Sequence, residues 1–217
     1  MSKVFKEKII ASLLALCALL TVLTTVGILW VLASEAFLFF SQVSIVEFFT
    51  DTQWTPLFAD KHFGILPLLS GTMLTSFIAI AVALPIGLTI AVYLNEYAHE
   101  KFRTIIKPIL ELLAAVPTVV YGFFALTVVT PFFQSFIPGM AGFNSLSAGF
   151  VMGIMIIPYV SSLSDDAIAA VPVALRHGSL ALGASRFQTA FKVIIPSAAS
   201  GIIVSVLLAI SRAVARR

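Results

Sequence analysis

Long apolar runs separated by short polar breaks dominate this chain, and neither the two-residue period of a half-buried strand nor the narrow stripe of a surface helix recurs in it. Five runs, at roughly 9–33, 66–94, 109–133, 146–163 and 193–211, approach or exceed the about 20 apolar residues that carry a helix across a bilayer. The pattern predicts an all-α polytopic membrane protein with about five transmembrane helices. Val31-Leu32-Ala33 resembles a cleavage site, but the first run far exceeds the about 7–15 residues of a secretory apolar region, so it reads as an uncleaved anchor.

The runs are irregular. Pro85 lies inside the second, Pro117 inside the third, and Pro158 is expected to end the fourth. Proline removes one rung of the helical ladder, and in a bilayer the freed carbonyl needs a neighbouring helix or water. Small residues flank these points: Ala114 and Ala115 before Pro117, Gly122 after it, and Gly149-x-x-x-Gly153 in the fourth run. Such faces let helices approach closely. Two readings stand, packing kinks or helices bent around a moving pathway.

Composition fits the pattern: 60% hydrophobic and 11% charged residues, with a mean hydropathy of +1.09. Soluble domains carry about 25% charged residues. The net charge of +3 matters through its distribution. Lys3, Lys6, Lys8, Lys101, Arg103, Lys107, Arg176, Arg186 and Lys192 fall on one side of the alternating topology, while loops 41–65 and 134–145 hold only Lys61. The positive-inside rule then places the N-terminus and loops 95–108 and 164–192 in the cytoplasm. The basic residues face membrane lipid and cytoplasm, and no nucleic-acid partner is expected. In loop 41–65, Phe48, Phe49, Trp54 and Phe58 suit a short interfacial helix or a docking surface for an external partner. Cys17 has no possible internal disulfide partner and reads as a small hydrophobe.

Catalytic patterns are missing from the sequence. "HEKFR" at 99–103 begins like a zinc motif but has Arg103 where the second histidine belongs. There is no G-x-x-x-x-G-K-[ST] loop and no G-x-S-x-G elbow, and His62, His99 and His177 are scattered. Asp165 and Asp166 are expected at a helix start, favoured there by the positive end of its dipole. No catalytic residue, metal site or cofactor is expected.

One stretch breaks the apolar pattern, "ALRHGSLALGASRFQTAFKVIIPSAASG" at 174–201. Pro172 suits a helix start, and Gly183 can supply the left-handed residue that ends that helix. Ser185-Arg-Phe-Gln188 forms a capping box for a second helix, which is expected to enter the membrane through Val193-Ile194-Ile195. The helix–turn–helix reads as an ordinary interfacial loop or as a lever touching a soluble partner.

The spacing from Gly183 over nine residues to Val193-x-Ile195-Pro196 is similar to the G-x9-I-x-L-P part of the EAA loop of ABC-importer permeases. His177-Gly178-Ser179 stands where that family commonly has Glu-Ala-Ala or Glu-Ala-Ser. "FGILPLLSGTMLTS", "LPIGLTIAVYLNEYA", "ELLAAVPTVVYGFFAL", "GIMIIPYVSSLSDDAIAAVP" and "SLALGASRFQT" together resemble the phosphate-specific, PstC-type branch of these permeases. The resemblance implies the ABC importer type I permease fold, with six spans and a cytoplasmic coupling helix that docks on a separate ATPase. It implies three kinds of partner: a second permease subunit forming a heterodimer, cytoplasmic ATPase subunits and an extracytoplasmic phosphate-binding protein. On it, residues 1–217 form a single transmembrane permease domain, with the type-1 core at about 66–217. His177, Gly178, Ser179, Gly183, Val193, Ile195 and Pro196 become the ATPase-coupling loop.

Five spans with a cytoplasmic N-terminus leave Arg212, Arg216 and Arg217 outside, against the charge bias. Members of the resembled family continue from a similar "SRA" with Gly-Glu-Thr and a further span. The expectation is therefore a chain lacking its last helix. Candidate pathway groups are Thr75, Thr118, Tyr121, Ser211 and Arg212, with Thr72, Ser76 and Ser205 beside them. Arg212 stands out energetically, because an unpaired arginine at span depth costs about 3 kcal/mol or more. Three other readings remain open. One is an ABC permease for another oxyanion or small solute, and one is a structural or channel-forming protein. The third is an intramembrane enzyme, for which only Glu111 and Arg212 are ionisable near span interiors.

Overall fold

Residues 3–215 are described by a computed structural model in which every extended element is helical, apart from one antiparallel bridge between Trp54 and Phe63. Arg216 and Arg217, which add to the charge at the chain end, lie outside the described residues. The chain packs as two units, residues 1–68 and 69–217.

The first unit is built on α1 (Lys3–Gln42), whose apolar side chains are exposed from Ile9 to Phe37. The helix outruns the apolar run expected at 9–33 at both ends. Nothing in "SEAFLFFSQ" breaks a helix, so α1 continues for 40 residues, about 60 Å at 1.5 Å per residue. That is twice the about 30 Å hydrocarbon core. The following loop folds back as α2 (Ile45–Thr50), the short helix expected there. Phe39, Phe40, Phe48 and Phe63 meet edge to face at 5.2–5.8 Å between ring centres. In the same loop, Asp51 Oδ1 accepts from Gln53 N at 3.0 Å and Asp51 Oδ2 pairs with His62 Nδ1 at 2.7 Å. The amide of Gln53, and then His62, hold the Asp51 carboxyl below its ordinary value of 3.8.

The second unit is organised around α7 (Ser145–Ala169), with α3 (Leu66–Val92), α4 (Glu100–Ala114) and α11 (Ala199–Ala215) against it. The Gly149-x-x-x-Gly153 face is where α3 comes close. A Cβ on Gly149 would lie 2.9 Å from the carbonyl oxygen of Thr75, and one on Gly153 would lie 2.9 Å from that of Ala79. Ala79, Ala83, Met155, Ile156, Val160, Ala209 and Ala213 form the core between α3, α7 and α11. Ser164 and Ser205, both fully buried, share a hydrogen bond of 2.8 Å that ties α7 to α11. Ser205 is therefore a packing group.

Three expected boundaries are corrected. Pro158 lies inside α7, and the fourth span continues to Ala169, because burial of this face outweighs one lost rung. The third expected span is two helices. Glu100–Ala114 is an amphipathic α4, the turn at Ala115–Val116 breaks the chain, and Pro117 caps α5 (Thr118–Phe124). A π-helical turn, Ala125–Val129, joins α5 to α6 (Thr130–Phe136), so the apolar crossing runs over Thr118–Phe136. Glu111 consequently belongs to α4, which is not among the helices long and apolar enough to cross a membrane by themselves. The fifth expected span starts late as well. The segment Arg186–Ser197 meets α11 at 72°, so Val193–Ile195 lies in the arm before the bend at Ala198, and the crossing starts after it. Among the described residues, four helices are long and apolar enough to cross a membrane, or five with this bent pair.

Candidate functional site

The last carbonyls of a helix have no partners within it. At the end of α4 they are met from two directions: Tyr121 donates its hydroxyl to the oxygen of Leu113 at 3.0 Å, and Tyr159 donates to that of Ala114 at 2.8 Å. The α4–α5 break is thereby held open beside α7, and cavities line up along it. One, of about 570 Å³, brings Thr75, Thr118 and Tyr121 together with Ser147 and Thr130. A second, of about 650 Å³, is lined by Arg212, Ser211, Tyr159, Ser162 and Glu111. A third, of about 490 Å³, lies at the break and shares Thr118 with the first and Tyr159, Ala114 and Ala115 with the second. Thr75, Thr118, Tyr121, Ser211 and Arg212, the five candidates for a pathway, therefore all line this chain of cavities.

Arg212 sits with its guanidinium carbon 3.6 Å from the centre of the Tyr159 ring. A cation over an aromatic face is attracted by the ring quadrupole while its N–H groups stay available. Among the described residues no acceptor or carboxylate takes those groups. Tyr159 was not apparent from the sequence, since only the fold brings residue 159 under residue 212. Thr75 is spent locally, donating to the oxygen of Gly71 at 2.6 Å.

At the other end of the unit the mixed stretch forms α8 (Val173–Ala181), α9 (Arg186–Thr189), a π-helical turn (Ala190–Ile194) and α10 (Ile195–Ser197). Gly183 has φ +84°, the left-handed conformation that a side chain disfavours. Its amide and that of Ala184 close the end of α8 by donating to Leu180 and Ser179. The capping box forms, with Gln188 N donating to Ser185 Oγ at 3.2 Å and Ser185 N donating to Gln188 Oε1 at 2.9 Å. Ser179 bonds Thr189 at 3.0 Å and stiffens the turn. His177, Gly178, Gly183 and Pro196 are exposed, and Val193 and Ile195 are half-buried where the arm before the bend packs on the bundle. Leu182 and Phe187 point outward, 90% and 61% exposed.

Asp165 and Asp166 occupy the last turn of α7, not a helix start. Carboxylates there face the negative end of the dipole, an unfavourable position alone. Cations from α4 offset it. Arg103 Nη2 reaches Asp165 Oδ2 at 2.8 Å, and Lys107 Nζ reaches Asp166 Oδ1 at 2.6 Å. The Asp166 hydrogen bond, against some desolvation, holds the Lys107 ammonium above its ordinary value of 10.5. Sequence spacing carried no sign of this cluster, because its members come from residues more than fifty positions apart.

Residues 83–215 match the family described as "Binding-protein-dependent transport system inner membrane component". The chain belongs to this family. Among curated relatives, this chain is 37% identical over 200 residues to the "Probable ABC transporter permease protein YqgH" of Bacillus subtilis, covering 91% of this chain and 64% of that protein. It is 34% identical over 186 residues to the "Phosphate transport system permease protein PstC" of Haemophilus influenzae, covering 77% of this chain and 58% of that protein. The PstC of Xylella fastidiosa (strain Temecula1) is 32% identical over 191 residues, with 79% and 58% covered. The chain thus spans 58–64% of the length of these relatives. Among solved structures, an inward-facing MetNI methionine ABC transporter superposes with a TM-score of 0.54 at 20% identity, over 70% of this chain and 68% of that one. The fold is that of a type I ABC importer permease, and the chain is a multi-pass membrane protein.

Proposed function

We propose that this permease forms part of the translocation pathway of an ATP-driven phosphate importer, with ATP hydrolysed on a separate chain. The observation that carries the reading is Arg212. Its guanidinium is oriented by Tyr159, has no internal acceptor among the described residues, and faces a cavity that continues to a hydroxyl-lined one. A planar fork of N–H donors suits bidentate contact with a phosphate oxyanion. The PstC names of relatives about one-third identical support the same substrate.

In this reading α8 and the turn at Gly183 are the contact for cytoplasmic ATPase subunits, with exposed Leu182 and Phe187 as their apolar contribution. A second permease subunit, forming a heterodimer, completes the pathway, and an extracytoplasmic phosphate-binding protein delivers the solute. The N-terminus and the α8–α10 segment then lie in the cytoplasm. Arg212→Ala in the transporter assembled with its partner subunits tests the reading. Uptake of inorganic phosphate is expected to be abolished while the subunits still co-purify. Unchanged uptake would remove Arg212 from the pathway.

A further inference from the structure

The helix α8 buries none of its residues against the bundle. Among the described residues, its one polar tie to the membrane helices is Arg176. The Arg176 Nη2 group donates to Asn95 Oδ1 at 2.7 Å and to the oxygen of Ile168 at 3.0 Å, and lies 3.1 Å from Glu96 Oε1. Asn95 and Glu96 belong to the π-helical turn Tyr93–Tyr97 that ends α3. The other end of the Asn95 amide turns the opposite way. Its Nδ2 donates to Asp165 Oδ1 at 3.0 Å and to the Asp165 backbone oxygen at 3.2 Å.

One side-chain amide therefore accepts from the surface helix α8 and donates to the buried carboxylate of α7. Asp165 is 1% exposed, and it passes the contact on to Arg103 of α4. The far end of α4 carries Leu113 and Ala114, whose carbonyls are held by Tyr121 and Tyr159 at the cavities. We propose that Asn95 is the positioning residue through which displacement of α8 reaches α4 and the Arg212 cavity. The proposal rests on the reading of α8 as the ATPase contact.

The physical reason for an amide at this position is its two-sidedness. An asparagine presents an acceptor to Arg176 and a donor to Asp165 at once, with no net charge of its own. A carboxylate would serve Arg176 but repel Asp165, and an alanine would remove the link between them, leaving Arg176 with Ile168 and Glu96 and Asp165 with its α4 cations. A π-helical turn is also a site where a helix end can shift with little loss, since its hydrogen bonds are already irregular.

The test uses proteoliposomes holding the complete transporter with its ATPase and binding protein, with inorganic phosphate as solute. Asn95→Ala and Asn95→Asp are each expected to retain ATPase co-purification and ATP hydrolysis. Phosphate taken up per ATP hydrolysed is expected to fall about tenfold, within the usual range of a coupling between distant sites. Arg176→Ala should show a similar loss, and the Asn95→Ala/Arg176→Ala double variant no more than the worse single one, as for groups acting in series. Normal uptake per ATP in both Asn95 variants overturns the proposal. So does an additive loss in the double variant, or loss of assembly in both Asn95 variants, which would make Asn95 structural only. Failure of the ATPase to co-purify with the unaltered chain overturns the reading of α8 itself, and the proposal with it.

Discussion

The guanidinium of Arg212 lies 3.6 Å above the ring of Tyr159, whose hydroxyl at the same time closes the end of α4 on Ala114. One side chain thus sets both the direction of the cation and the edge of the cavity it faces. The two roles separate by substitution. Tyr159→Leu removes the aromatic face, worth about 0.5–2 kcal/mol to a cation, and is expected to lower phosphate uptake by roughly 2- to 30-fold. Tyr159→Phe keeps the face and loses only the bond to Ala114, so its loss should be smaller. Equal losses in an uptake assay would show that the ring does not orient Arg212.

Gly183 is the next position where the backbone selects its residue. With φ +84° and no atom within 4 Å of a would-be Cβ, the site has room for a side chain but the wrong backbone for one. Gly183→Val should therefore cost about 1–2 kcal/mol from conformation alone. The measurable outcome is loss of ATPase co-purification with normal membrane insertion. Normal co-purification would separate this turn from the ATPase contact.

Sidedness is open to chemical labelling. In a Cys17→Ser background, Ser44→Cys is expected to react with an impermeant thiol reagent on intact cells, and Ser179→Cys only after permeabilisation. Reaction of Ser179→Cys on intact cells would reverse the orientation.

The Gly153 contact allows a packing test. A Cβ there meets the Ala79 carbonyl at 2.9 Å and Val82 Cβ at 2.9 Å, and backbone cannot swing aside as a long side chain can. Gly153→Val should push α7 off α3 and cost about 1–3 kcal/mol, as overpacking does. A lowered melting temperature in detergent is the expected readout, whereas Gly142→Val, in open space, should leave it unchanged.

Acid should act on the loop after α1. The Asp51 carboxyl titrates lower in the folded loop than its ordinary 3.8, so its contribution is present above that pH and is lost as pH falls through the folded value. In a Trp30→Phe background, Trp54 fluorescence should change in that acid range. Asp51→Asn should remove the acid step, and an unaltered step in that variant would assign it to another group.

The features legible in the sequence were local ones. The left-handed Gly183, the Ser185–Gln188 capping box and the close-packing glycines of α7 depend on a few neighbouring residues and were found where expected. The misread features depended on distant partners. Asp165 looked like a helix start because its compensating cations come from α4, and Pro158 looked like a helix end because the burial that carries α7 past it is tertiary. The apolar run after 109 hid the end of α4, although Lys101, Arg103, Lys107 and Glu111 already marked that helix as amphipathic. The cavities were legible only as scattered hydroxyls, since a shared lining is a property of the folded chain.

The three wide turns, Tyr93–Tyr97, Ala125–Val129 and Ala190–Ile194, have a consequence for how such chains diverge. A turn closed from i to i+5 holds more residues than a regular one, and every residue added to a helix rotates the rest of that helix by about 100°. Removing one residue from such a turn restores the ordinary winding without shortening the flanking helices. Homologues that lack a wide turn should therefore show an isolated one-residue gap at these places, and alignments forced through without it would assign Thr130 or Asn95 to the wrong face of their helices.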